Sequence, residues 1–406
     1  MSQTNKHNRA LKLIVPALVS LAAPMAFAQN DETPPIVGDA LETPAGEIKD
    51  MGRFMATGVA SLQGQYAVVG ERGYILLSSD DGASWTQADS VPVSVTLTDI
   101  AFSNAQTAWA VGHSGVLLRS DDAGASWQLM FDGRGVAQII YDAAQARVDA
   151  GEVGAERELR SAQYLVDDGP DKPFLKVYFD TPDHGWAIGA YGIALETRDG
   201  GESWESAVHR IPNVFGAHLY DMDRVGDRLV LVGEQGAVFG SDDDGETFYE
   251  ILSDYEGTFF GLVAQTEESA VLHGLRGNVW RMTFIEPEAE MDAEDGMDVD
   301  AAEDVDPEVA ETAEPIVPDV EWSQISTGND VTVAAGGLLG NGRIVIADQG
   351  GRLSTADDDD ASVTRAASDA GGVVNDLVVT SDNALIAVGP RGPIRIENTF
   401  QTSGVE

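Results

Sequence analysis

Short apolar runs alternate with tight polar turns along residues 51–400 of this chain. The stretch 66–85 shows the pattern in full: an apolar run, a Gly-x-x-Gly turn, a second apolar run and a polar turn that ends in tryptophan. Runs of this length, rich in aliphatic residues and bounded by Gly, Asp and Ser, predict β-strands joined by tight turns. We therefore expect a chain built mainly from short strands.

The Gly-x-x-Gly turn recurs at a regular spacing. Counting one degenerate copy, seven turns begin at Gly70, Gly112, Gly189, Gly233, Gly274, Ala347 and Gly389. Most successive starts lie 41 to 44 residues apart, and two intervals are longer. This period, with four short strands per unit, is typical of a propeller blade. The sequence thus predicts an all-β fold, a seven-bladed β-propeller over residues 51–400.

A second motif, Ser/Thr-x-Asp-x-Gly-x-x-Trp/Phe, follows the third strand in four units. Its residues are Ser78, Asp80, Gly82 and Trp85; Ser120, Asp122, Gly124 and Trp127; Thr197, Asp199, Gly201 and Trp204; and Ser241, Asp243, Gly245 and Phe248. The aspartate can accept N–H groups of its own turn, and the glycine permits a positive φ. The aromatic ring buries a large area between blades. We interpret these Asp boxes as structural, not as catalytic or metal-binding.

The first long interval holds an insertion over 135–172, between the outer strand of blade 2 and the inner strand of blade 3, which we expect at Phe174–Phe179. Its segments 143–148 and 156–166 have helix-forming composition, and Asp-Asp-Gly-Pro at 167–170 ends the second. Connections between blades share a face with the Gly-x-x-Gly turns, whereas the Asp boxes lie on the opposite face. We expect a short helical hairpin over the first face, either a partner-binding lid or a decoration.

The second long interval, 286–319, replaces the Asp box of blade 5. It holds 15 Asp and Glu residues and no Lys or Arg. Such a segment cannot bury enough apolar surface to order itself, so we expect an acidic disordered loop. Its acidic residues do not match the EF-hand spacing, and no metal site is predicted there.

Blade 7 ends without an outer strand, which would leave an unpaired sheet edge. We expect a strand from residues 35–55 to fill this place and to close the ring.

The N-terminus predicts the compartment. Lys6, Arg9 and Lys12 precede an apolar run, and Ala26 and Ala28 form a small-x-small cleavage site. These features indicate a signal peptide over 1–28 with cleavage after Ala28, followed by a leader over 29–50. We expect a periplasmic protein without direct membrane insertion.

Composition narrows the possible partners. The chain carries 24 Lys and Arg against 68 Asp and Glu, a net charge of −44. Binding to phosphate backbones needs positive charge, so nucleic acid is excluded as a partner. The chain has no cysteine, which excludes disulfides, thiol catalysis and cysteine-based metal sites.

The Val-Gly-x-x-Gly turns followed by Ser-x-Asp-x-Gly-x-x-Trp resemble the photosystem II stability/assembly factor family (Ycf-type, also called Hcf-type) and BNR/Asp-box proteins in general. The resemblance implies a signal-bearing, seven-bladed propeller that helps to assemble membrane protein complexes and is not an enzyme. The helical insertion with 168–173 is similar to a non-photosynthetic bacterial branch that often accompanies RND-type exporters. The implied partner is an envelope membrane protein or transporter complex. We expect a monomer without a cofactor.

The photosynthetic family uses an arginine patch on one propeller face, and Arg72, Arg276 and Arg391 match it at the third place of Gly-x-Arg-Gly. The corresponding turns of other blades add His113, Tyr191 and Gln235 as partner-binding candidates. The arginines can bind an acidic partner segment, or they can pair as structural ions with carboxylates such as Glu71 and Glu234.

A sialidase-like glycoside hydrolase or a glycan-binding propeller is the alternative, because sialidases are also Asp-box propellers. Their Arg-Ile-Pro motif precedes the first Asp box, whereas Arg210-Ile211-Pro212 follows the third box here. None of the histidines has a metal-binding spacing. No residue is therefore assigned as catalytic or as a metal ligand.

Overall fold

The computed structural model describes residues 38–285 and 317–397. The predicted signal peptide over 1–28, the first part of the leader up to residue 37 and the acidic segment 286–316 lie outside the described residues. The described part of the chain contains no helix with the length and apolarity needed to span a membrane.

Seven antiparallel sheets follow one another along the chain, each a blade. Blade 1 contains β1 (Ala56–Leu62), β2 (Gln65–Gly70), β3 (Ile75–Ser78) and β4 (Thr86–Gln87); blade 2 contains β5 (Leu97–Phe102), β6 (Ala108–Gly112), β7 (Leu117–Ser120) and β8 (Gln128–Phe131); blade 3 contains β9 (Phe174–Phe179), β10 (Gly185–Gly189), β11 (Ala194–Thr197) and β12 (Glu205–Ser206). Blade 4 contains β13 (Leu219–Val225), β14 (Arg228–Gly233), β15 (Val238–Ser241) and β16 (Tyr249–Glu250); blade 5 contains β17 (Phe259–Ala264), β18 (Ser269–Gly274), β19 (Val279–Ile285) and β20 (Asp319–Gln324). Blade 6 contains β21 (Val333–Leu338), β22 (Ile344–Asp348), β23 (Leu353–Ala356) and β24 (Thr364–Arg365), and blade 7 contains β25 (Asp376–Val379), β26 (Leu385–Gly389) and β27 (Gly392–Ile396).

The prediction of a seven-bladed β-propeller is confirmed. Six sheets have four strands in sequential order, and the inner strand comes first in each blade. The strands of a blade pair with their neighbours along the chain, so all ladders are antiparallel and local. This is why the strand–turn repeat was sufficient to predict the architecture.

Aromatic residues fill the spaces between blades. Trp109 on β6 and Trp186 on β10 are completely buried. The ring of Trp204, from the Asp box of blade 3, meets Trp109 of blade 2 edge to face at 5.6 Å. In the same way Phe248, from the Asp box of blade 4, meets Trp186 at 5.7 Å. Each of these Asp boxes therefore contributes a ring to the interface with the preceding blade.

The insertion after blade 2 forms two helices, as predicted, but the first is longer than the composition indicated. Helix α1 spans Gly133–Asp149, and Asp132 caps it by accepting the N–H of Arg134 at 2.8 Å. Val136, Ile140 and Ala144 recur every four residues and are buried. Packing of this stripe on blades 2 and 3 extends the helix upstream of the predicted start at 143.

Helix α2 spans Ala155–Asp168 and packs against α1 through Ala155 and Ala162. The side of α2 that carries Val166 is only partly covered, since Val166 is 38% exposed. The hairpin starts on the face of the Gly-x-x-Gly turns, because Gly133 lies directly against Gly115 of the blade 2 turn.

The seam between blades 7 and 1 differs from the prediction. Residues 38–55 form no strand beside β27, and blade 7 has three strands in the described part of the chain. Residues 40–45 instead lie along the connection between blades 1 and 2, where Ala45 donates to Val91 and Ala40 accepts from Ser94. Pro44 cannot donate to a ladder, which disfavours a strand in this segment.

Direct contacts between the two blades close the ring. The amide of Gly392 donates to the Phe54 carbonyl at 3.1 Å. Asn375 donates to the Ala56 carbonyl, and the Asp376 carboxylate accepts the N–H of Val59 at 2.9 Å. Apolar side chains of both blades share one buried cluster. Hydrogen bonds and apolar packing thus hold blades 7 and 1 together where a strand was expected.

Candidate partner-binding face

The turns between the second and third strands share one unusual backbone conformation. In blades 1 to 5 the third residue of Gly-x-x-Gly, which we call the tip residue, has φ between 57° and 58°. The following glycine also has a positive φ, from 61° to 73°. The residue after that donates its N–H to the second residue of the motif, at 3.0 to 3.5 Å. This is a type I′ turn.

The residue types at the tips are unfavourable for this backbone conformation. The first central position of a type I′ turn favours asparagine, aspartate or glycine, because a side chain with positive φ is strained by about 1–2 kcal/mol. The five tips are Arg72, Ser114, Tyr191, Gln235 and Arg276. The turn does not require long side chains here, and all but Ser114 are exposed. Such strain at an exposed position motivates a hypothesis of function.

Arg72 and Arg276 stand free of carboxylates. Neither side chain forms an ion pair within residues 38–285 and 317–397. Glu71, the neighbour that could have paired with Arg72, instead accepts the N–H of Met55 at 3.1 Å. Glu234 has the same role in blade 4, where it accepts the N–H of His218 at 3.1 Å. Both glutamates therefore hold the chain that enters an inner strand.

The other candidates occupy different environments. His113 is exposed but stands one residue before the tip of blade 2, in a turn covered by the start of α1. Arg391, in blade 7, donates to the carbonyl of Gly371 in the connection between blades 6 and 7. The structure thus separates two free arginines from one that is engaged with backbone.

An aromatic series continues from the tip of blade 3. The ring of Tyr191 lies 4.9 Å from that of His218, which is 6.5 Å from Tyr220. Tyr220 meets Phe260 of blade 5 edge to face at 5.2 Å. The ammonium of Lys172 stands 5.2 Å from the centre of the Tyr191 ring. The series offers stacking surface beside the charged tips.

Charged residues that the sequence reasoning missed line the centre of the ring. Lys176 on β9 lies 3.0 Å from Asp221 and 3.9 Å from Asp99. Asp99 accepts the N–H of Val177 in the next blade. Burial opposes the charge of Lys176, but Asp221 and Asp99 outweigh it and hold the pKa of the ammonium well above its usual range. Burial raises the pKa of Asp376 to about 7.

These carboxylates join blades. Asp221 accepts the N–H of Leu262 at 3.0 Å, and Asp376 accepts that of Val59 in the next blade around the ring. In the sequence, these residues could have been recognised as charged residues within otherwise apolar inner strands, as in Leu97–Phe102 and Phe174–Phe179.

The Asp-box turns use their polar atoms internally. Asp122 accepts the N–H and the hydroxyl of Ser126 at 2.8 and 2.5 Å and the hydroxyl of Ser120 at 2.8 Å. These bonds, those from Ser126 above all, lower the pKa of Asp122. The indole of Trp127 donates to Gly124. The other three boxes repeat the aspartate bonds.

A polar cavity of about 560 Å³ opens at the Asp-box ends of blades 3 and 4. His184 bridges Asp180 at 3.0 Å and buried Glu196 at 2.9 Å. Hydrogen bonds to these two carboxylates raise the pKa of His184 to about 9. Arg224 also binds Asp180, and Arg210 binds Glu196.

The acids of this cavity are therefore held in ion pairs. Arg210 of the Arg-Ile-Pro sequence pairs with Glu196 on β11 of blade 3. Among the described residues, no group of three or more His, Asp or Glu side chains is arranged to hold a metal ion.

Comparisons with known proteins agree with this architecture. The family model described as photosynthesis system II assembly factor YCF48 matches residues 155–283. The chloroplastic photosystem II stability/assembly factor HCF136 of Cyanidioschyzon merolae is 67% identical over 24 residues. That match covers 6% of this chain and 6% of the relative's length.

Solved structures of low sequence identity share the fold. YCF48 bound to a D1 peptide has a TM-score of 0.56 and 12% identity, over 88% of this chain and 99% of that chain. YCF48 from Cyanidioschyzon merolae has a TM-score of 0.54 and 13% identity, over 86% and 97%. The WD40 propeller domain of Doa1 has a TM-score of 0.54 and 11% identity, over 89% and 97%. The resemblance predicted from the motifs is confirmed.

Proposed function

We propose that this chain, a propeller similar to the photosystem II assembly factors, is a non-enzymatic periplasmic factor for assembly or stability of an envelope membrane protein complex. It binds an extended segment of that complex on the face of the Gly-x-x-Gly turns. An RND-type exporter is the partner that we put forward. The signal-peptide pattern at 1–28 supports the periplasm, and the D1 peptide held by YCF48 supports peptide capture.

One observation carries the proposal. Arg72 and Arg276 occupy strained tip positions, are exposed, and have no carboxylate partner in the described ranges. In a chain of net charge −44 most arginines have acidic neighbours at hand. A free guanidinium can take a carboxylate with two parallel hydrogen bonds. The bound segment is therefore expected to carry carboxylates, such as acidic side chains or a chain terminus.

Site-specific photo-cross-linking in native cells tests this proposal. Gln235 and Asp244 are exposed residues with φ of 57° and 56°, one on each face, so a photoreactive residue at either position meets the same left-handed backbone. At position 244 it also removes the ion pair with Arg224. We expect position 235 to cross-link to one envelope membrane protein and position 244 to give none. Arg72→Glu with Arg276→Glu should weaken the adduct about tenfold, because the charge is reversed.

Arg365→Glu is the matched control, since Arg365 is exposed on the outer strand of blade 6. It should leave the adduct intact. Equal adducts from both faces, or no envelope protein from position 235, would contradict the proposal. Cell fractionation should recover the protein in the periplasm with Gln29 as its first residue. Turnover of a fluorogenic sialoside would instead support the glycosidase alternative, which no contact in the structure favours.

A further inference from the structure

The helical hairpin and the connection between blades 3 and 4 form one continuous surface. Arg157, Arg160 and Tyr164 follow one another along a single side of α2. Arg157 donates to the carbonyl of Val214 at 3.0 Å, which brings this side to the loop 213–216. The same loop packs on the blade 3 turn, because Gly216 lies against the carbonyl of Tyr191. We call Arg157, Arg160, Tyr164, Tyr191, Val214 and Phe215 the hairpin surface.

The hairpin surface exposes apolar side chains to water. Phe215 is 92% exposed, Tyr164 69%, and Tyr191 and Val214 each 58%. Monomeric proteins rarely group large apolar side chains on an open surface unless the group binds something. Aromatic residues and arginine are the residue types enriched in protein interfaces.

The loop that presents Phe215 has a defined conformation. The side chain of Asn213 donates to the carbonyl of Ala217 and accepts its N–H, both at 2.9 Å. The amide of Gly216 closes a turn onto the Asn213 carbonyl at 3.1 Å. Phe215 is thus held outward by its own turn. A partner that covers the ring has little loop entropy to overcome.

The charge of the surface selects the partner. Arg160 forms no ion pair or hydrogen bond within the described ranges, and Arg157 donates to a backbone carbonyl. Two acids of α2 are engaged elsewhere, since Glu158 pairs with Arg147 and Asp168 pairs with Lys172. Exposed Glu156 lies one turn before Arg160 and has no partner in the described ranges. The chain as a whole has a net charge of −44 and repels acidic ligands. Unpaired arginines therefore give this surface a complementarity to acidic segments that most of the chain lacks.

We propose that the hairpin surface docks a segment of a partner protein in which carboxylates alternate with aromatic or aliphatic side chains. Arg157 and Arg160 take the carboxylates, and Phe215, Tyr164 and Val214 cover the apolar side chains. The proposal rests on the proposed function because both require a protein partner. It extends the contact site at the tips of the blades onto the insertion, and the two sites share Tyr191.

Fluorescence anisotropy with a synthetic peptide of alternating glutamate and phenylalanine tests the proposal on the full mature protein. We expect saturable binding that weakens as salt is added, because exposed charges are screened. Phe215→Ser and Arg160→Glu should each weaken binding about tenfold or more, a loss typical of interface anchors. Both side chains are exposed, so neither change threatens the fold. A peptide of alternating glutamate and serine should bind about tenfold more weakly.

Leu252→Ser and Arg365→Glu are matched controls, since Leu252 is 79% exposed and lies in the connection between blades 4 and 5. Both should bind the peptide as the wild type does. Absence of binding, or an unchanged Kd in Phe215→Ser, would overturn the proposal. So would self-association of the wild type that Phe215→Ser abolishes, because the surface would then belong to a second copy.

Failure of the two proposals can be told apart. Retained cross-linking at position 235 with no effect of Phe215→Ser leaves the proposed function and removes the hairpin surface. Peptide binding without any envelope cross-link leaves the hairpin surface and removes the proposed function.

Discussion

Each complete repeat has two kinds of turn, and they use side chains in opposite ways. In the Asp box of blade 4, the carboxylate of Asp243 accepts hydrogen bonds from the N–H and hydroxyl of Thr247 and from the hydroxyl of Ser241. At the type I′ tip of the same blade, Gln235 has a left-handed backbone, and its side chain forms no hydrogen bond within the described chain.

The difference explains which positions repeat and which vary. The Asp-box chemistry is the same in four blades because each box stabilises its own turn. The tips carry Arg, Ser, Tyr, Gln and Arg because the turn needs only the conformation. The same left-handed backbone also occurs in the Asp boxes, at Asp81, Ala123 and Asp244, so strain alone does not distinguish the two faces. The tips differ because the side chains of Arg72, Gln235 and Arg276 are exposed and unpaired within the described chain, which leaves them free to contact a partner.

The largest expected effect is on stability and concerns the Asp-box turn of blade 3. Gly201→Ala should lower the free energy of unfolding by about 3 kcal/mol, through strain at φ 81° and overpacking of the core. A Cβ at this position would lie 2.1 Å from the Trp109 ring of the preceding blade. Urea unfolding followed by tryptophan fluorescence measures the loss.

Gly64→Ala is the matched control for this substitution. Gly64 has φ 82° but no atom within 4 Å of the added Cβ, so the loss should be only about 1 kcal/mol. Equal losses in the two variants would mean that contact with the neighbouring blade contributes nothing.

A smaller effect concerns the ion pairs at the Asp-box ends. The pKa of His184 is raised to about 9 from an ordinary 6.5, so the folded protein holds this proton more tightly than the unfolded chain. Its stabilisation is complete below pH 6.5 and is lost as the pH rises through 9. We expect the free energy of unfolding to fall by about 2 kcal/mol over this range.

His184→Gln provides the comparison for the pH series. It should be less stable than the wild type near pH 6.5 and should lack this part of the decline. Parallel curves for the two proteins from pH 6.5 to pH 9 would show that the bridge between Asp180 and Glu196 does not stabilise the fold.

The smallest effect has the opposite sign and concerns the tips. Arg72→Asn should leave the fold unchanged or stabilise it by about 0.5 kcal/mol, because asparagine tolerates positive φ and no side-chain contact is lost. Asp243→Ala in the other turn should destabilise the fold by about 1–2 kcal/mol. Urea unfolding of both variants checks the pair, and a loss for Arg72→Asn as large as that for Asp243→Ala would remove the distinction between the turns.

Much of the fold could be predicted because propeller blades are local. Each ladder pairs neighbours in sequence, so the inner strand of blade 3 was predicted at its observed bounds, Phe174–Phe179. The start of α1 could not be predicted in this way. Its first turns are held by packing of Val136 and Ile140 on the propeller, and composition does not report such contacts.

The candidate site could be predicted only in part. The motif placed Arg72, Tyr191, Gln235 and Arg276 at equivalent positions, and the structure shows them as exposed tips with one backbone conformation. It did not distinguish free Arg72 from Arg391, whose guanidinium reaches a backbone carbonyl of the neighbouring connection. Phe215 gave no signal, because its exposure depends on how a blade connection meets the hairpin.

The sequence by itself determined the repeat, the strands and the chemistry of the Asp boxes, since all of these depend on residues close together in the chain. Tertiary structure alone decided how the ring closes and which charges remain free. At the seam between blades 7 and 1, Val59 donates to Asp376, and at the centre of the ring Lys176 pairs with Asp99 and Asp221. Such contacts link residues far apart in sequence, and their energy depends on burial and distance, which no local pattern encodes.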